Sequence, residues 1–109
     1  MKRVSVIGAG AWGTSLAIVA IRAGHEAAVW AHEPDVVEAI NRDHANPAFL
    51  AGVALPNELA ATRDLAAAAK ADACLLATPA QHLRSVVSRL APHLRAGMPI
   101  LICSKGIET

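Results

Sequence analysis

The sequence is poor in aromatic residues and carries no excess of charge of either sign. It holds two tryptophans, one phenylalanine and no tyrosine in 109 residues, and ten basic side chains balance nine acidic ones to give a formal net charge of +1. Without a basic cluster or an aromatic platform for stacked bases, we expect no binding to nucleic acid. No apolar run approaches the roughly 20 residues of a membrane span, and the amino terminus lacks the pattern of a secretory signal. We therefore expect a cytoplasmic protein without a membrane span.

Cysteine is also scarce, and the histidines show no regular spacing. Cys74 and Cys103 each lie inside an apolar run, which is typical of small buried side chains and not of a disulfide. Four of the five histidines have neither metal-ligand spacing nor a fixed carboxylate partner, so we expect them in loops or on the surface: His25, His44, His82 and His93. The sequence predicts no metal site.

The residues that are abundant indicate a compact α/β domain. Apolar residues make up 54% of the chain, and 25 of them are alanine, which suits helices packed closely on a sheet. Short apolar runs predict strands at 3–8, 26–31, 73–77 and 99–103, with a short one near 59–61, while helical spacing predicts helices at 11–23, from 34 onward, at 65–70 and at 81–90. This alternation predicts a doubly wound parallel sheet of the Rossmann type in three αβα layers, with the runs 73–77 and 99–103 as buried strands.

A glycine-rich segment joins the first predicted strand to the first helix. Gly8, Gly10 and Gly13 form a G-x-G-x-x-G pattern in the context that dinucleotide-binding folds require. The first glycine permits the tight turn, the second leaves room for a pyrophosphate, and the third lets the helix approach the sheet. The backbone N–H groups at the start of the helix, from Ala11, would then bind the anion. The alternative is that these glycines serve only a tight turn.

The end of the second predicted strand bears on the choice of dinucleotide. Glu33 stands at the distance from the glycines where an acidic residue hydrogen-bonds the ribose 2′-hydroxyl of NAD, although it precedes Pro34 and could serve only as a helix-entry acid. His32, when protonated, could instead face the 2′-phosphate of NADP. We therefore expect the protein to accept NAD or NADP, and a preference for NADP stays open.

A second candidate cofactor loop follows the predicted strand 73–77. Pro79 and Gln81 lie there, where ligands of open α/β sheets bind, and Gln81 could reach the nicotinamide ribose. The same segment could instead be only a helix N-cap at Thr78 followed by a proline near the first helical position. Trp12, within the glycine segment, could be either a core residue or a cofactor contact.

Three stretches identify a family resemblance that covers essentially the whole chain. They are GAWGTSLA at 10–17, NPAFL at 46–50 followed by Leu55-Pro56, and KGIE at 105–108. Together they resemble the N-terminal domain of bacterial NAD(P)-dependent glycerol-3-phosphate dehydrogenase. Ala51 departs from the proline that this family commonly has after the NPAFL stretch, which concerns the conformation of that loop and not the cofactor site.

The resemblance implies a reaction and further residue roles. The family reduces dihydroxyacetone phosphate to sn-glycerol 3-phosphate with NAD(P)H for glycerophospholipid synthesis. By motif, Ala11 and Trp12 would contact the cofactor, His32 would lie at the adenosine ribose, and Lys105 would contact both the nicotinamide side and the substrate. The expected partners are this small-molecule substrate and, in the full-length enzyme, a second copy of the chain.

The resemblance also sets the expected domain organisation. Residues 1–109 would form the NAD(P)-binding domain, and the helical substrate domain, which carries the main proton donor of the family, would be absent. A fragment of this kind should be inactive alone. Other readings stay open: a related dehydrogenase of the 3-hydroxyacid or UDP-glucose type would share the glycines without KGIE, and a non-catalytic dinucleotide-binding module would not need Lys105. A methyltransferase using S-adenosylmethionine is disfavoured by Trp30-Ala31-His32, where an acidic residue would end the second strand.

Overall fold

The computed structural model describes residues 2–103, and strands and helices alternate through this part of the chain. The strands are β1 (Arg3–Ile7), β2 (Glu26–Trp30), β3 (Ala60–Thr62), β4 (Ala73–Leu76) and β5 (Ile100–Ile102). The helices are α1 (Ala11–Arg22), α2 (Pro34–Glu38), α3 (Leu65–Ala68) and α4 (Ala80–Leu90). The predicted elements are therefore all present, with ends shifted by one or two residues in most cases.

All five strands run parallel in one sheet with the order β3-β2-β1-β4-β5. Val6 of β1 lies in register with Val29 of β2 on one side and with Leu75 of β4 on the other. The chain first winds outward from β1 to β3 and then crosses back to β4, so that β1 and β4 are neighbours at the point where the winding reverses. This confirms the predicted doubly wound parallel sheet.

The sheet is covered on both faces because successive side chains of a strand point in opposite directions. Val6, on one face of β1, belongs to a cluster with residues of α1 and α2, including Ala17 and Val36. Ile7, on the other face, packs in a second cluster with residues of α3 and α4, including Leu90. The two clusters give the three αβα layers expected from the sequence.

Glycine explains where α1 ends, and the spacing of apolar residues explains which face of α4 packs on the sheet. The chain leaves α1 through Gly24, whose φ of +95° is a conformation that favours glycine, and the N–H of His25 then closes the turn by donating to the carbonyl of Ala20. In α4, Val86 and Leu90 are one helical turn apart and both are buried against the sheet.

The segment after α2 contains a helix type that the sequence did not predict. The α-helix passes into a turn of π-helix over Ala39–Asp43, and His44 then adopts a left-handed conformation with φ +52°. The chain that follows is irregular, as predicted, until β3. Asn46 begins a compact turn there, and its backbone carbonyl accepts hydrogen bonds from the N–H groups of Phe49 and Leu50.

The expectation that the last strand is buried was wrong. Ile100, Leu101 and Ile102 of β5 are 40%, 52% and 69% exposed, because β5 is the edge strand and no element among residues 2–103 covers it. Cys103, expected to be buried, is partly exposed for the same reason, whereas Cys74 in the interior strand β4 is buried as expected.

Candidate functional site

A cavity opens at the carboxyl ends of β1 and β4, where the winding of the sheet reverses. Its volume is about 900 Å³, within the range of sites that hold small ligands and cofactors. Open α/β sheets bind their ligands at this place because loops leaving the two strands diverge to opposite faces of the sheet. The sequence-predicted residues that line the cavity are Gly8, Gly10, Ala11, Trp12, Gly13, His32, Glu33, Pro79 and Gln81.

The three glycines of the segment between β1 and α1 have different structural reasons. Gly8 has φ +122°, its N–H donates to the carbonyl of Trp30 at 2.9 Å, and a Cβ there would lie 3.0 Å from the backbone of Ala77 and Thr78. Gly8 therefore serves the sharp turn that brings the chain off β1 and beside β4.

Gly13 serves the packing of α1 on the sheet. A Cβ at this position would lie 1.9 Å from the carbonyl oxygen of Gly8 and 3.3 Å from the Cβ of Ala77. No side chain fits there, so the first turn of α1 touches the end of β1 directly.

Neither a tight turn nor close packing requires glycine at position 10. Its φ is −69°, which any residue adopts, and a Cβ placed on it would meet no atom within 4 Å. Gly10 is the N-cap of α1, and no side chain among the described residues caps this helix end. The missing side chain thus leaves open space at the end of a twelve-residue helix, where backbone N–H groups and the helix dipole favour a bound anion. This geometry fits the pyrophosphate of a dinucleotide.

The loop after β4 forms the opposite wall of the cavity. The buried hydroxyl of Thr78 donates to the carbonyl of Ile7 at 2.9 Å and so ties this loop to the end of β1. The alternative reading of Thr78 as a helix N-cap was wrong, because α4 begins at Ala80 and Pro79 occupies the N-cap position. Pro79 and Gln81 both line the cavity.

Two arginines and a histidine surround a tryptophan at the β2 end of the cavity. The guanidinium of Arg89 lies 5.8 Å from the ring centroid of Trp30, and the ring of His32 lies 6.5 Å from it. Arg63 donates from Nε to the carbonyl of His32 at 3.1 Å, and the indole N–H of Trp30 donates to the carbonyl of Arg63 at 2.8 Å. Glu33, the N-cap residue of α2, makes no side-chain capping bond and is among the residues that line the cavity.

Trp12 connects the glycine segment to the end of β5. It is 41% exposed, so it is not a core residue, and its indole N–H donates to the carbonyl of Cys103. The chain that leaves β5 is therefore held beside the amino end of α1. Lys105, two positions further on, lies outside the described residues, and its role stays a prediction.

The cavity is also lined by residues that the sequence did not single out, including three polar residues of α4. Phe49 comes from the irregular segment after α2, whereas His82, Ser85 and Arg89 come from α4. The last three are spaced three and four residues apart, which places them on one face of a helix that begins at the cavity. That spacing was a usable signal, whereas nothing local to Phe49 indicated its position.

The remaining reactive side chains do not form a second centre. Burial raises the pKa of the Cys74 thiol, so it stays protonated and unreactive within the sheet. Among residues 2–103, no group of histidine, cysteine or acidic side chains is arranged to hold a metal ion. None of the helices in this part of the chain has the length and apolar character needed to span a membrane.

Comparison with known proteins places the chain in a sequence family. The family described as NAD-dependent glycerol-3-phosphate dehydrogenase N-terminus matches residues 3–109. The chain is 60% identical over 108 residues to the glycerol-3-phosphate dehydrogenase [NAD(P)+] of Paramagnetospirillum magneticum, covering 99% of this chain and 39% of the relative. It is 50% identical over 107 residues to the enzyme of the same name from Parvibaculum lavamentivorans, covering 98% of this chain and 32% of the relative.

Solved structures agree with the sequence comparison. The glycerol-3-phosphate dehydrogenase of Coxiella burnetii superposes with a TM-score of 0.89 at 29% identity, covering 99% of this chain and 34% of that chain. The corresponding protein of Saccharomyces cerevisiae superposes with a TM-score of 0.87 at 31% identity, covering 97% and 34%. The chain thus spans about a third of the length of the relatives and structures that it matches.

Proposed function

Because this chain belongs to the NAD-dependent glycerol-3-phosphate dehydrogenase family, we propose that it forms the cofactor-binding part of an enzyme that reduces dihydroxyacetone phosphate to sn-glycerol 3-phosphate. The observation that carries the proposal is the open space beside Gly10, at the amino end of α1 and at the reversal of the sheet. Position 10 requires glycine neither for its backbone conformation nor for packing, yet it holds glycine at the place where a pyrophosphate would lie.

The cavity residues divide naturally along the length of a dinucleotide. Gly10 and the first turn of α1 would bind the pyrophosphate through backbone N–H groups. His32 and Glu33 would lie at the adenosine ribose, and Gln81 would lie toward the nicotinamide ribose, on the other side of the pyrophosphate. Trp12, which lines this cavity, would help to exclude water from it.

The chemistry follows from the cofactor that the family name gives. When bound, the reduced nicotinamide supplies a hydride to the carbonyl carbon of the substrate. Lys105 would stabilise the negative charge that develops on the substrate oxygen, or would hold the substrate phosphate as a point charge. The main proton donor and most substrate contacts would come from a helical domain outside residues 1–109.

The side chains at the end of β2 suit both NAD and NADP. Glu33 can accept a hydrogen bond from a ribose 2′-hydroxyl, whereas His32 can face a 2′-phosphate. Arg89 adds a positive charge to this end of the cavity and favours NADP. A dissociation constant that differs by about a hundredfold between the two cofactors would contradict dual use.

The substrate, the cellular location and the oligomeric state are also proposed from membership of this family. The substrate would be dihydroxyacetone phosphate or glycerol 3-phosphate, in the cytoplasm, and the full-length enzyme would be a homodimer. A non-catalytic dinucleotide-binding module is the second candidate, and the two differ in their dependence on Lys105.

The test is NAD(P)H oxidation by the full-length protein with and without dihydroxyacetone phosphate. Substrate-dependent oxidation is expected, and Lys105→Ala should lower kcat at least about a hundredfold, since removal of one charge-stabilising group costs that much in other enzymes. Lys70→Ala, which removes an exposed lysine after α3, is the matched control and should leave turnover unchanged. Binding of NADPH without any substrate-dependent turnover would favour the non-catalytic module.

A further inference from the structure

Asn46 is the largest polar side chain that the structure buries completely, and it lies directly behind the glycine segment. Its exposed fraction is 0%, and its Nδ2 group donates to the carbonyl of Ala9 at 2.7 Å and to Oγ1 of Thr14 at 2.9 Å. Thr14, also 0% exposed, donates its own hydroxyl hydrogen to the same carbonyl at 3.2 Å. Two buried side chains, from separate parts of the chain, thus hold a single backbone carbonyl of the segment between β1 and α1.

Asparagine is an unfavourable residue at this buried position, because its side chain is not fully hydrogen-bonded. Its Oδ1 atom is buried and has no hydrogen-bond partner among residues 2–103, whereas buried polar atoms in proteins nearly always have one. An unpaired buried acceptor destabilises the folded state. The amide therefore has a local task at Ala9 that offsets this cost.

That task follows from the planarity of the peptide bond. In a trans peptide the C=O of one residue and the N–H of the next point in opposite directions, and the described chain contains no cis peptide bond. With the oxygen of Ala9 held on the buried side by Asn46 and Thr14, the N–H of Gly10 must point the other way. Ala9 and Gly10 both line the cavity, and Asn46 does not.

We infer that Asn46 is a positioning residue of the cofactor site: its side-chain amide fixes the peptide between Ala9 and Gly10 so that the Gly10 N–H faces the anion. Glycine at position 10 leaves this peptide free to rotate, since no Cβ limits it. Without Asn46 the peptide samples orientations in which its carbonyl oxygen, and not its N–H, faces the phosphate. The inference rests on the proposed function, because it assigns a role toward the pyrophosphate of the bound dinucleotide.

Asn46 also connects the glycine segment to a second part of the cavity wall. Its backbone carbonyl accepts hydrogen bonds from the N–H groups of Phe49 at 3.2 Å and Leu50 at 2.7 Å. The resulting turn carries Phe49, 46% exposed, to the edge of the cavity. One residue thus holds the anion-binding backbone with its side chain and an apolar cavity residue with its main chain.

The test compares ligands with and without a pyrophosphate. In the full-length protein, Asn46→Leu removes the amide, keeps the branched shape with the same number of side-chain heavy atoms, and adds no charge. We expect affinity for ADP-ribose and NADPH to fall about tenfold or more, and affinity for adenosine 2′-phosphate, which lacks the pyrophosphate, to stay within about twofold. In turnover assays the KM for NADPH should rise, while kcat at saturating cofactor changes little.

Asn41→Leu is the matched control. The Asn41 amide also bonds to backbone, since it donates to the carbonyl of Ala61 and accepts from its N–H, but it lies on the far side of β3 from the glycine segment. This variant should leave the affinity for all three ligands unchanged. If it weakened ADP-ribose binding as much as Asn46→Leu does, general loosening would explain both, and the inference would be wrong.

Two further results would overturn the inference. One is unchanged ADP-ribose affinity in Asn46→Leu, and the other is an equal loss for adenosine 2′-phosphate. If Asn46→Leu fails to fold, Thr14→Val decides instead: it removes the second donor at constant shape and should weaken ADP-ribose binding about threefold, again sparing adenosine 2′-phosphate. If the wild-type protein bound neither NADPH nor ADP-ribose, the proposed function itself would be wrong. That result is obtained before any variant is measured, so it is distinguishable from failure of the inference.

Discussion

Alanine substitutions at two neighbouring glycines should separate cofactor binding from folding. Gly10 and Gly13 belong to the same motif, yet a Cβ at Gly10 meets nothing within 4 Å, whereas a Cβ at Gly13 lies 1.9 Å from the carbonyl oxygen of Gly8. We therefore expect Gly10→Ala to weaken dinucleotide binding with little effect on stability, and Gly13→Ala to destabilise the fold.

The size of the Gly13→Ala effect follows from the overlap. Non-bonded heavy atoms prefer separations of about 3.5 Å, so α1 would have to move away from β1 by more than about 1 Å. Overpacking of this kind costs roughly 1–3 kcal/mol. For a domain of about 100 residues, a cost of about 2 kcal/mol lowers Tm by about 10 °C.

The size of the Gly10→Ala effect follows from hydrogen bonding. Its φ of −69° accepts alanine without strain, so the free energy of unfolding should fall by no more than about 1 kcal/mol, the cost of replacing a favoured N-cap residue by alanine. A methyl group in the space of the pyrophosphate would displace it from one N–H group, and a hydrogen bond to a charged group contributes about 1.5–3 kcal/mol. The expected loss is about 10- to 100-fold in affinity, and Gly10→Val should lose more.

The assay combines thermal unfolding with a fluorescence titration of NADPH on all three proteins. We expect Gly10→Ala to keep most of its stability and bind NADPH weakly, and Gly13→Ala to have a lowered Tm. Unchanged NADPH affinity in Gly10→Ala would refute the position assigned to the pyrophosphate. Unchanged Tm in Gly13→Ala would refute the packing argument.

Three further predictions concern cofactor choice and stability. His32→Ala should weaken NADPH binding more than NADH binding in parallel titrations, and equal losses would remove His32 from the 2′-phosphate. Asp64→Ala should lower the free energy of unfolding by about 1 kcal/mol in denaturant titrations, because the Asp64 carboxylate caps α3 by accepting from the N–H of Ala66 at 2.9 Å; Asp64→Asn, which keeps an acceptor, should lose less. The N–H of Arg3 donates to the Asp72 carboxylate and lowers the pKa of Asp72, so this charge stabilises the fold at neutral pH. Its contribution is lost as the pH falls below about 4 through the lowered folded-state pKa. The Tm difference between the wild type and Asp72→Asn should therefore shrink over that range, and a difference independent of pH would contradict the assignment.

The sequence predicted most of the fold and much of the cavity because the signals for both are local. Alternating strands and helices imply parallel strands whose carboxyl ends share one edge. Residues placed directly after β1, β2 and β4, such as Gly10, His32 and Pro79, must then meet at that edge, and the structure brings all three around one cavity. Their contacts with a cofactor stay predictions.

What the sequence did not reveal depends on contacts between distant segments. Asn46 is 37 residues from Ala9, and its neighbours give no sign that its side chain is buried against the glycine segment. Phe49 reaches the cavity through the turn that Asn46 begins. The irregular path between α2 and β3 decides both positions, and no periodic pattern encodes such a path.

The last strand shows the same limit from the other side. An apolar run such as 100–102 predicts a strand, but burial depends on what covers it, and the edge position of β5 leaves its side chains exposed within residues 2–103.

The sequence by itself therefore determined the order of the strands and helices, the glycine segment and the class of ligand, because these depend on spacing along the chain. The glycine pattern predicts a turn, room for a pyrophosphate and close helix packing, and the tertiary structure supplies the geometry: a φ of +122° at Gly8, open space at Gly10 and the Gly8 carbonyl against Gly13. Only the tertiary structure revealed that Asn46 holds the Ala9 carbonyl. The contact between Asn46 and Ala9 joins segments 37 residues apart, and only the folding of the chain brings them together.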